Sequence, residues 1–393
     1  MSVQKQTVTF LNAALFLMLP LLCSTSFAQG IIIDHTCTDI TQIPECAIDR
    51  ARPTLHIGYG HTSHGSQLTT GMTGLIDFAN NGGLRLSHAH DAFEWNNGGS
   101  GGALDLEEGD GYGGGWLDHD CGYYPEWVNE TRAYLDDPAH SDVNVIIWSW
   151  CGQAAGRSEA SMIDTYLFPM TQLESDYPDV VFVYMTGHAN GSGESGNLHL
   201  RNQQIRDYCI HNNKVLYDFY DIECYDPDGN YYGDRYVNDD CSYDGGNWAL
   251  EWQNAHAEGV DWYNCYSAHS QPLNANRKAY AAWWLWTTLA GWNPLTDIRV
   301  SSASNPTGFI LYQNYPNPFN PVTTIKYNLH TAADVTLKIY DLSGREIEAL
   351  VDETKSAGEH INTWYAKGLA SGIYICRLQT NTYSETRKLI LQK

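Results

Sequence analysis

The sequence predicts two folded units in tandem: a three-layer α/β/α domain built on a parallel sheet, then a small all-β, immunoglobulin-like sandwich. Between residues 51 and 295, short apolar runs of strand length alternate with segments of helical length. That alternation is the signature of βαβ units whose sheet is covered on both faces. Composition then changes after Trp292, and the remaining chain shows period-two alternation broken by tight turns. At 393 residues the chain is long enough for one large and one small domain.

Residues 1–28 read as a secretory signal: Lys5 near the start, an apolar run from Leu11 to Leu22, and small residues at Ser26-Phe27-Ala28. Residues 29–50 form a leader that Cys37 and Cys46 could clip. Within 51–295, strands are expected at Leu55 to Gly60, Leu84 to Ser87, Val143 to Trp150, Val180 to Thr186 and Lys214 to Phe219. Helices are expected at 158–177, 197–212 and 274–290. Gly-rich, aromatic, acidic loops at 96–115 and 226–247 follow strand-like segments and so should gather at the carboxyl edge of the sheet. A small-residue linker is expected over 296–308. The terminal domain, 309–393, should carry strands at Thr323 to Tyr327, Val335 to Tyr340, His360 to Trp364, Ile373 to Leu378 and Lys388 to Leu391, with a turn at Leu342-Ser343-Gly344.

A formal net charge of -24 argues against nucleic-acid binding, which needs a basic surface. It also disfavours strongly anionic substrates. Past the leader no stretch approaches the ~20 apolar residues of a membrane span. Export implies an oxidising compartment, so most of the cysteines are expected to be bridged. Cys37 with Cys46 is the simplest pair, another bridge is expected among Cys224, Cys241 and Cys265, and Cys376 should be a buried thiol. No Cys-x-x-Cys spacing points to zinc.

Chemistry is concentrated in Thr54-Leu55-His56-Ile57-Gly58-Tyr59-Gly60-His61-Thr62-Ser63-His64-Gly65-Ser66-Gln67. A strand-like run ends there in glycine, histidine and hydroxyl residues, which is how an α/β fold presents a serine at the carboxyl end of a strand. Ser63 is the candidate nucleophile and Ser66 the reserve; a helix cap is the structural alternative for Ser63. His269, after the last expected strand, is the candidate base. Gln153, at the end of the strand Val145 to Trp150, could donate to a developing oxyanion. A rival constellation is metal binding by His61, His64, His88, His90 and His188. Asp226-Pro227-Asp228-Gly229-Asn230 resembles the start of a calcium loop but lacks its closing glutamate, with Val237 there instead. No cofactor is otherwise required. The 26 Tyr and 13 Trp include loop aromatics (Tyr112, Trp116, Tyr123, Tyr124, Trp127, Tyr231, Tyr232, Trp248, Trp252) that suit stacking on sugar faces.

The serine block, Trp148 to Gln153, Tyr184-Met185-Thr186-Gly187-His188, Gly196-Asn197-Leu198 and Ala268-His269-Ser270 together resemble SGNH (GDSL-like) hydrolases, in particular an uncharacterised secreted bacterial subgroup. The resemblance covers about 51–292. It implies a flavodoxin-like fold and a serine esterase, with Ser63 as nucleophile and His269 as base. Gln153 would stand near the family's asparagine, and a glycine of Gly98 to Gly102, with Gly102 the candidate, in its glycine block. His61, His64, Gly152, His188, Asn190 and Trp150 would line the substrate and oxyanion side. The sequence departs from the family in having Gly60-His61-Thr62-Ser63 for Gly-Asp-Ser, and Tyr266 where the triad acid is expected; Asp261 is the nearest upstream carboxylate. The implied partner is an acylated polysaccharide. A non-catalytic glycan-binding protein on the same fold is the further alternative.

Tyr315-Pro316-Asn317-Pro318-Phe319-Asn320-Pro321, Ile339-Tyr340-Asp341-Leu342-Ser343-Gly344, Ala357-Gly358-Glu359-His360, Ser371-Gly372-Ile373-Tyr374 and Lys388-Leu389-Ile390 resemble the C-terminal sorting domain of the type IX secretion system. That resemblance implies the secretion machinery as a partner, and release or cell-surface attachment as the destination.

Overall fold

The computed structural model describes residues 30–109, 116–293, 310–312, 314, 317–329, 331–341, 345–380 and 384–392. The expected signal at 1–28, the linker at 296–308, Tyr112, Tyr315-Pro316 and the turn at Leu342-Ser343-Gly344 lie outside the described residues. Two compact units divide at Ile298 and Arg299.

In the first unit, β1 (Ile31–Ile33), β2 (His56–Gly60), β3 (Trp95–Asn96), β4 (Leu104–Glu108), β5 (Val145–Trp148), β6 (Val181–Met185) and β7 (Val215–Tyr217) form one seven-stranded sheet. Its order is β1-β7-β6-β5-β2-β4-β3, and each of these pairings is parallel. The helices are α1 (Glu45–Ala51), α2 (Ser66–Asn80), α3 (Glu126–Asp136), α4 (Glu159–Met162), α5 (Phe168–Asp176), α6 (Asn197–His211), α7 (Phe219–Glu223), α8 (Trp248–Ala255) and α9 (Pro272–Leu289).

Alternate side chains of a strand point to opposite faces, so β5, β6 and β7 each feed two cores. Val145 and Ile147 join the cluster that holds Leu68 and Met72 of α2 with Trp283 and Trp286 of α9. Ile146 and Trp148 join the other, with Trp127 and Tyr134 of α3, Leu173 of α5 and Ile205 of α6. Helices therefore cover both faces of this part of the sheet, and these three strands read as continuous apolar runs. Winding reverses at β2: the chain goes to β3 and β4 on one side and returns to β5 on the other. The carboxyl end of β2 is thus a topological switch point, where α/β sheets form their crevices.

Several sequence expectations are corrected. Leu84 to Ser87 is no strand: Leu84 and Arg85 take positive φ (49° and 57°) inside a short 3-10 turn. The strand is instead Leu104–Glu108, within the expected loop at 96–115. The leader contributes β1, which pairs with β7. All nine cysteines among the described residues are free thiols. Cys37 is buried with its Sγ against the Ile32 carbonyl, whereas Cys46 is exposed on α1, so the two thiols face different surroundings. Cys224 and Cys241 are buried; Cys265 lies against the Pro272 carbonyl instead.

The second unit is all-β and antiparallel. Ile310–Leu311, Val322–Leu329 and Gly358–Tyr365 form a three-stranded sheet. Glu346–Lys355, Ala333–Asp341, Gly372–Gln379 and Ser384–Leu391 form a four-stranded one. Phe319, Leu337, Trp364, Cys376 and Leu389 are among its core residues. Among the described residues, no helix is long and apolar enough to cross a membrane.

Candidate active site

The turn after β2 is tightly built. Gly65 is required there: an added Cβ would sit 2.4 Å from both the His61 Cβ and the Ser149 Oγ. Tyr59 Oη donates to the Gly65 carbonyl at 2.9 Å, and Thr62 Oγ1 donates to Asp120 at 2.8 Å. The turn opens into α2, whose N-terminus carries the positive end of the helix dipole. Ser63 is left exposed at this point. Ser66 is occupied, its Oγ donating to the Ser63 carbonyl at 2.7 Å.

His269 reaches the same point from the loop before α9. Its Nε2 lies 3.1 Å from Ser63 Oγ. Its φ of 60° is in the left-handed region that non-glycine residues seldom adopt. Such a conformation costs on the order of 1–3 kcal/mol and persists where its surroundings hold it. Here the Gln67 amide holds the Ala268 carbonyl at 2.5 Å, and Asn274 Nδ2 donates to Ser270 Oγ at 2.8 Å. Behind them, Lys278 Nζ is buried against Glu223, Gln67 and the Phe219 ring.

His64 is the middle ring of a stack. It lies 3.7 Å from His188 and 4.5 Å from His269, centroid to centroid. Its Nδ1 faces Cys151 Sγ at 3.2 Å and its Nε2 faces Asp239 Oδ2 at 3.1 Å. Burial opposes the His64 charge, but the bonds to Asp239 and Cys151 outweigh it and raise the pKa to about 9. The hydrogen bond with His64 draws the Cys151 thiol below its usual value. Burial works against the Asp239 carboxylate, yet His64 and His188 leave it below the ordinary range. Burial keeps His188 low, and its Nδ1 donates to the Ala189 carbonyl at 2.7 Å. Cys151 Sγ is 3.9 Å from Ser63 Oγ.

The remaining expected site residues are placed as follows. His61 has both ring nitrogens engaged, with Glu108 at 3.0 Å and the Thr62 carbonyl at 3.0 Å, and ties the turn to the end of β4. Gln153 Nε2 faces Asp120 at 3.3 Å, and Gly152 beside it is exposed with open space where a side chain would stand. Trp150 is buried and donates to the Met185 carbonyl at 3.1 Å. Asn190 pairs with Asn238 in an isolated bridge, next to Asp239. Gly102 precedes β4 and so lies at the amino edge of the parallel sheet, away from the carboxyl edge; its carbonyl accepts from Arg52, which precedes β2. Asp261 caps the Ala257 amide at 2.9 Å. The carboxylate among the histidines is Asp239: His64, Asp239 and His269 present donor atoms within 4.8 Å of one another.

The five expected metal-binding histidines do not converge. His88 Nε2 bonds the Ile43 carbonyl at 2.9 Å, and exposed His90 pairs with its neighbour Asp91. Asp226 accepts from Asn230 and from Tyr232 Oη at 2.9 Å, so its carboxylate closes its own turn. Of the loop aromatics, Trp127, Tyr232 and Trp248 are buried, while Trp116, Tyr123 and Tyr124 are exposed, as are Tyr236 and Tyr266. Sequence reasoning gave no role to Cys151, Asp239 or Asp120. Cys151 lies within the segment Trp148 to Gln153, but the contacts that single it out are long-range.

Residues 313–392 match the family described as the secretion system C-terminal sorting domain. This type IX sorting domain marks the chain for secretion or cell-surface attachment and makes the secretion machinery its partner. No curated protein matches the chain. Among solved structures, PorZ, a surface component of the type IX secretion system of Porphyromonas gingivalis, is 26% identical over 21% of this chain, with a TM-score of 0.16. The chain spans 11% of that protein's length. The Ig1 domain of mouse SynCAM 2 is 13% identical over 20% of this chain and 93% of its own, with a TM-score of 0.15. A Cellulomonas fimi endo-beta-1,4-mannanase double mutant is 13% identical over 74% of this chain and 54% of its own, with a TM-score of 0.20.

Proposed function

We propose that this chain is a secreted serine hydrolase of the SGNH kind, a carboxylic ester hydrolase that removes acyl groups from a polysaccharide. In this reading the first unit has that family's flavodoxin-like fold and the second is an immunoglobulin-like sandwich. The observation that carries the proposal is His269 Nε2 at 3.1 Å from the exposed Ser63 Oγ, at the switch point of a parallel sheet. A serine hydroxyl needs a base within hydrogen-bond reach, and this one has it.

Ser63 attacks the ester carbonyl while His269 takes its proton and returns it to the leaving alcohol. The positive end of the α2 dipole, beside Ser63, favours the charge of the oxyanion. His269 is oriented by stacking on His64, whose own partner is Asp239. Exposed Tyr236 and Tyr266, on the loops that carry Asp239 and His269, supply flat faces for sugar rings. Export by the sorting domain supports a substrate outside the cell.

Ser63→Ala should lower turnover of a short acyl ester by at least ~10³-fold without unfolding the protein; full retained activity would refute the mechanism. A second reading draws on the convergence of His64, Asp239 and His269, which could hold a divalent cation. Chelation separates the two, because a serine hydrolase keeps its activity.

A further inference from the structure

We propose that Cys151, with His64 as its base and Asp239 behind that base, is a second nucleophile of the same site, able to carry the substrate's acyl group as a thioester. The proposal rests on the acyl-transfer reading of this site and adds a residue and an intermediate to it. Its ground is the geometry. Cys151 Sγ, His64 Nδ1, His64 Nε2 and Asp239 Oδ2 stand in one relay, with gaps of 3.2 Å and 3.1 Å. That is the nucleophile–base–carboxylate order that activates a thiol or hydroxyl.

The relay is built in. His64 is buried between the His188 and His269 rings, and Asp239 sits in a turn fixed by Asn238: its amide donates to the Ser242 carbonyl, and its side chain accepts from the Ser242 amide at 2.9 Å. The thiol is half-buried rather than sealed, and it faces the same space as Ser63 Oγ, 3.9 Å away. A carbonyl carbon presented to one nucleophile is within reach of the other. By contrast the Ser63–His269 pair has no carboxylate bonded to its histidine among the hydrogen bonds of the described residues, so the complete relay belongs to the cysteine.

The chemistry balances with water as the sole co-reactant. The Cys151 thiolate attacks the carbonyl carbon, forming C–S while the π electrons move to oxygen. As they return, the bond from carbon to the leaving alkoxide breaks, and that oxygen takes the proton from His64 Nδ1. Water, giving a proton to His269, then attacks the thioester carbonyl; the C–S bond breaks and the acid leaves. Cys151 regains its thiolate, His269 gives up to solvent the proton it took from water, and His64 recovers one from solvent, so the site returns to its starting state.

The test is site-resolved trapping with p-nitrophenyl acetate on the wild type and Ser63→Ala, quenched in acid at short times and mapped by peptide mass spectrometry. The expected result is an acetyl group on Cys151 in S63A, released by neutral hydroxylamine as thioesters are. Absence of acetyl-Cys151 from both proteins overturns the proposal. An acetyl group on Cys151 with none ever found on Ser63 overturns the serine reading and leaves this one standing. A second measurement uses the wild-type protein without turnover. Iodoacetamide at pH 6.5 should modify Cys151 at least tenfold faster than exposed Cys46, and His64→Gln should erase the difference. Equal rates at the two cysteines in the wild type would contradict an activated thiol.

Discussion

Nε2 of His269 lies 3.1 Å from Oγ of Ser63, although 206 positions separate the two residues. One sits on the turn after β2 and the other on a strained loop before α9. The contact exists because β2 is the switch strand, and because the α9 loop is pinned back over its end by Gln67 and Asn274.

The turn that presents Ser63 should tolerate no side chain at its hinge. Gly65→Ala would bring its Cβ to 2.4 Å from His61 and Ser149. We expect a loss of about 1–3 kcal/mol, the usual cost of overpacking. We also expect ester turnover to fall further than the fraction of folded protein does. Thermal unfolding by circular dichroism, set beside turnover of the same samples, checks both.

Stability should depend on pH through His64 and Asp239. The folded His64 pKa is raised from 6.5 to about 9, so its contribution is complete below about pH 6.5 and is lost as pH rises through 9. Asp239 is depressed, so its contribution is present above its ordinary carboxylate value and lost as pH falls through the folded one. The stability gap between wild type and Asp239→Asn should therefore be a plateau that closes in acid and again near pH 9. Its height should be on the order of 2–3 kcal/mol. A gap independent of pH, measured by denaturant unfolding between pH 3 and 10, would contradict this.

Lys278 and Glu223 are fully buried and paired beneath the site. Removing one partner leaves an uncompensated charge, so Lys278→Met should cost about 3–5 kcal/mol. Lys278→Met combined with Glu223→Leu should cost less than the first change alone. Urea unfolding of the single and double variants provides the cycle. Because Asn274 bridges Glu223 and Ser270, the single change should also weaken the His269 loop and lower activity.

The sorting domain predicts a physical separation of roles. Deleting residues 309–393 in a host with a type IX system should keep the protein inside the envelope, while ester turnover per mole of the remaining unit is unchanged. Cell fractionation with an activity assay on each fraction tests this; export of the shortened chain at wild-type levels would contradict it.

Much of the scaffold was legible because its strands are buried on both faces and read as apolar runs, as at Val145–Trp148. Leu104–Glu108 was not, since three of its five residues are acidic and only Leu104 and Leu106 are buried. Leu84 to Ser87 misled for the opposite reason: its composition suits a strand, but positive φ at two residues closes a turn. Glu346–Lys355 escaped notice because it is mostly exposed. At the site, Ser63 and His269 were legible from their places after strands. Asp239 and Cys151 were not: they meet His64 across 175 and 87 positions, and no local pattern encodes such contacts. Gly102 entered through the family resemblance alone, and the direction of β4 puts it at the other edge.

The central claim is that Ser63 is activated by His269. Its most direct test is labelling with a fluorophosphonate probe, followed by peptide mass spectrometry, on the wild type and on His269→Ala. The predicted result is a single adduct on Ser63, close to one per chain, that forms at least ~10²-fold more slowly without the histidine. No adduct on Ser63 in folded wild-type protein, or labelling at the same rate without His269, would contradict it.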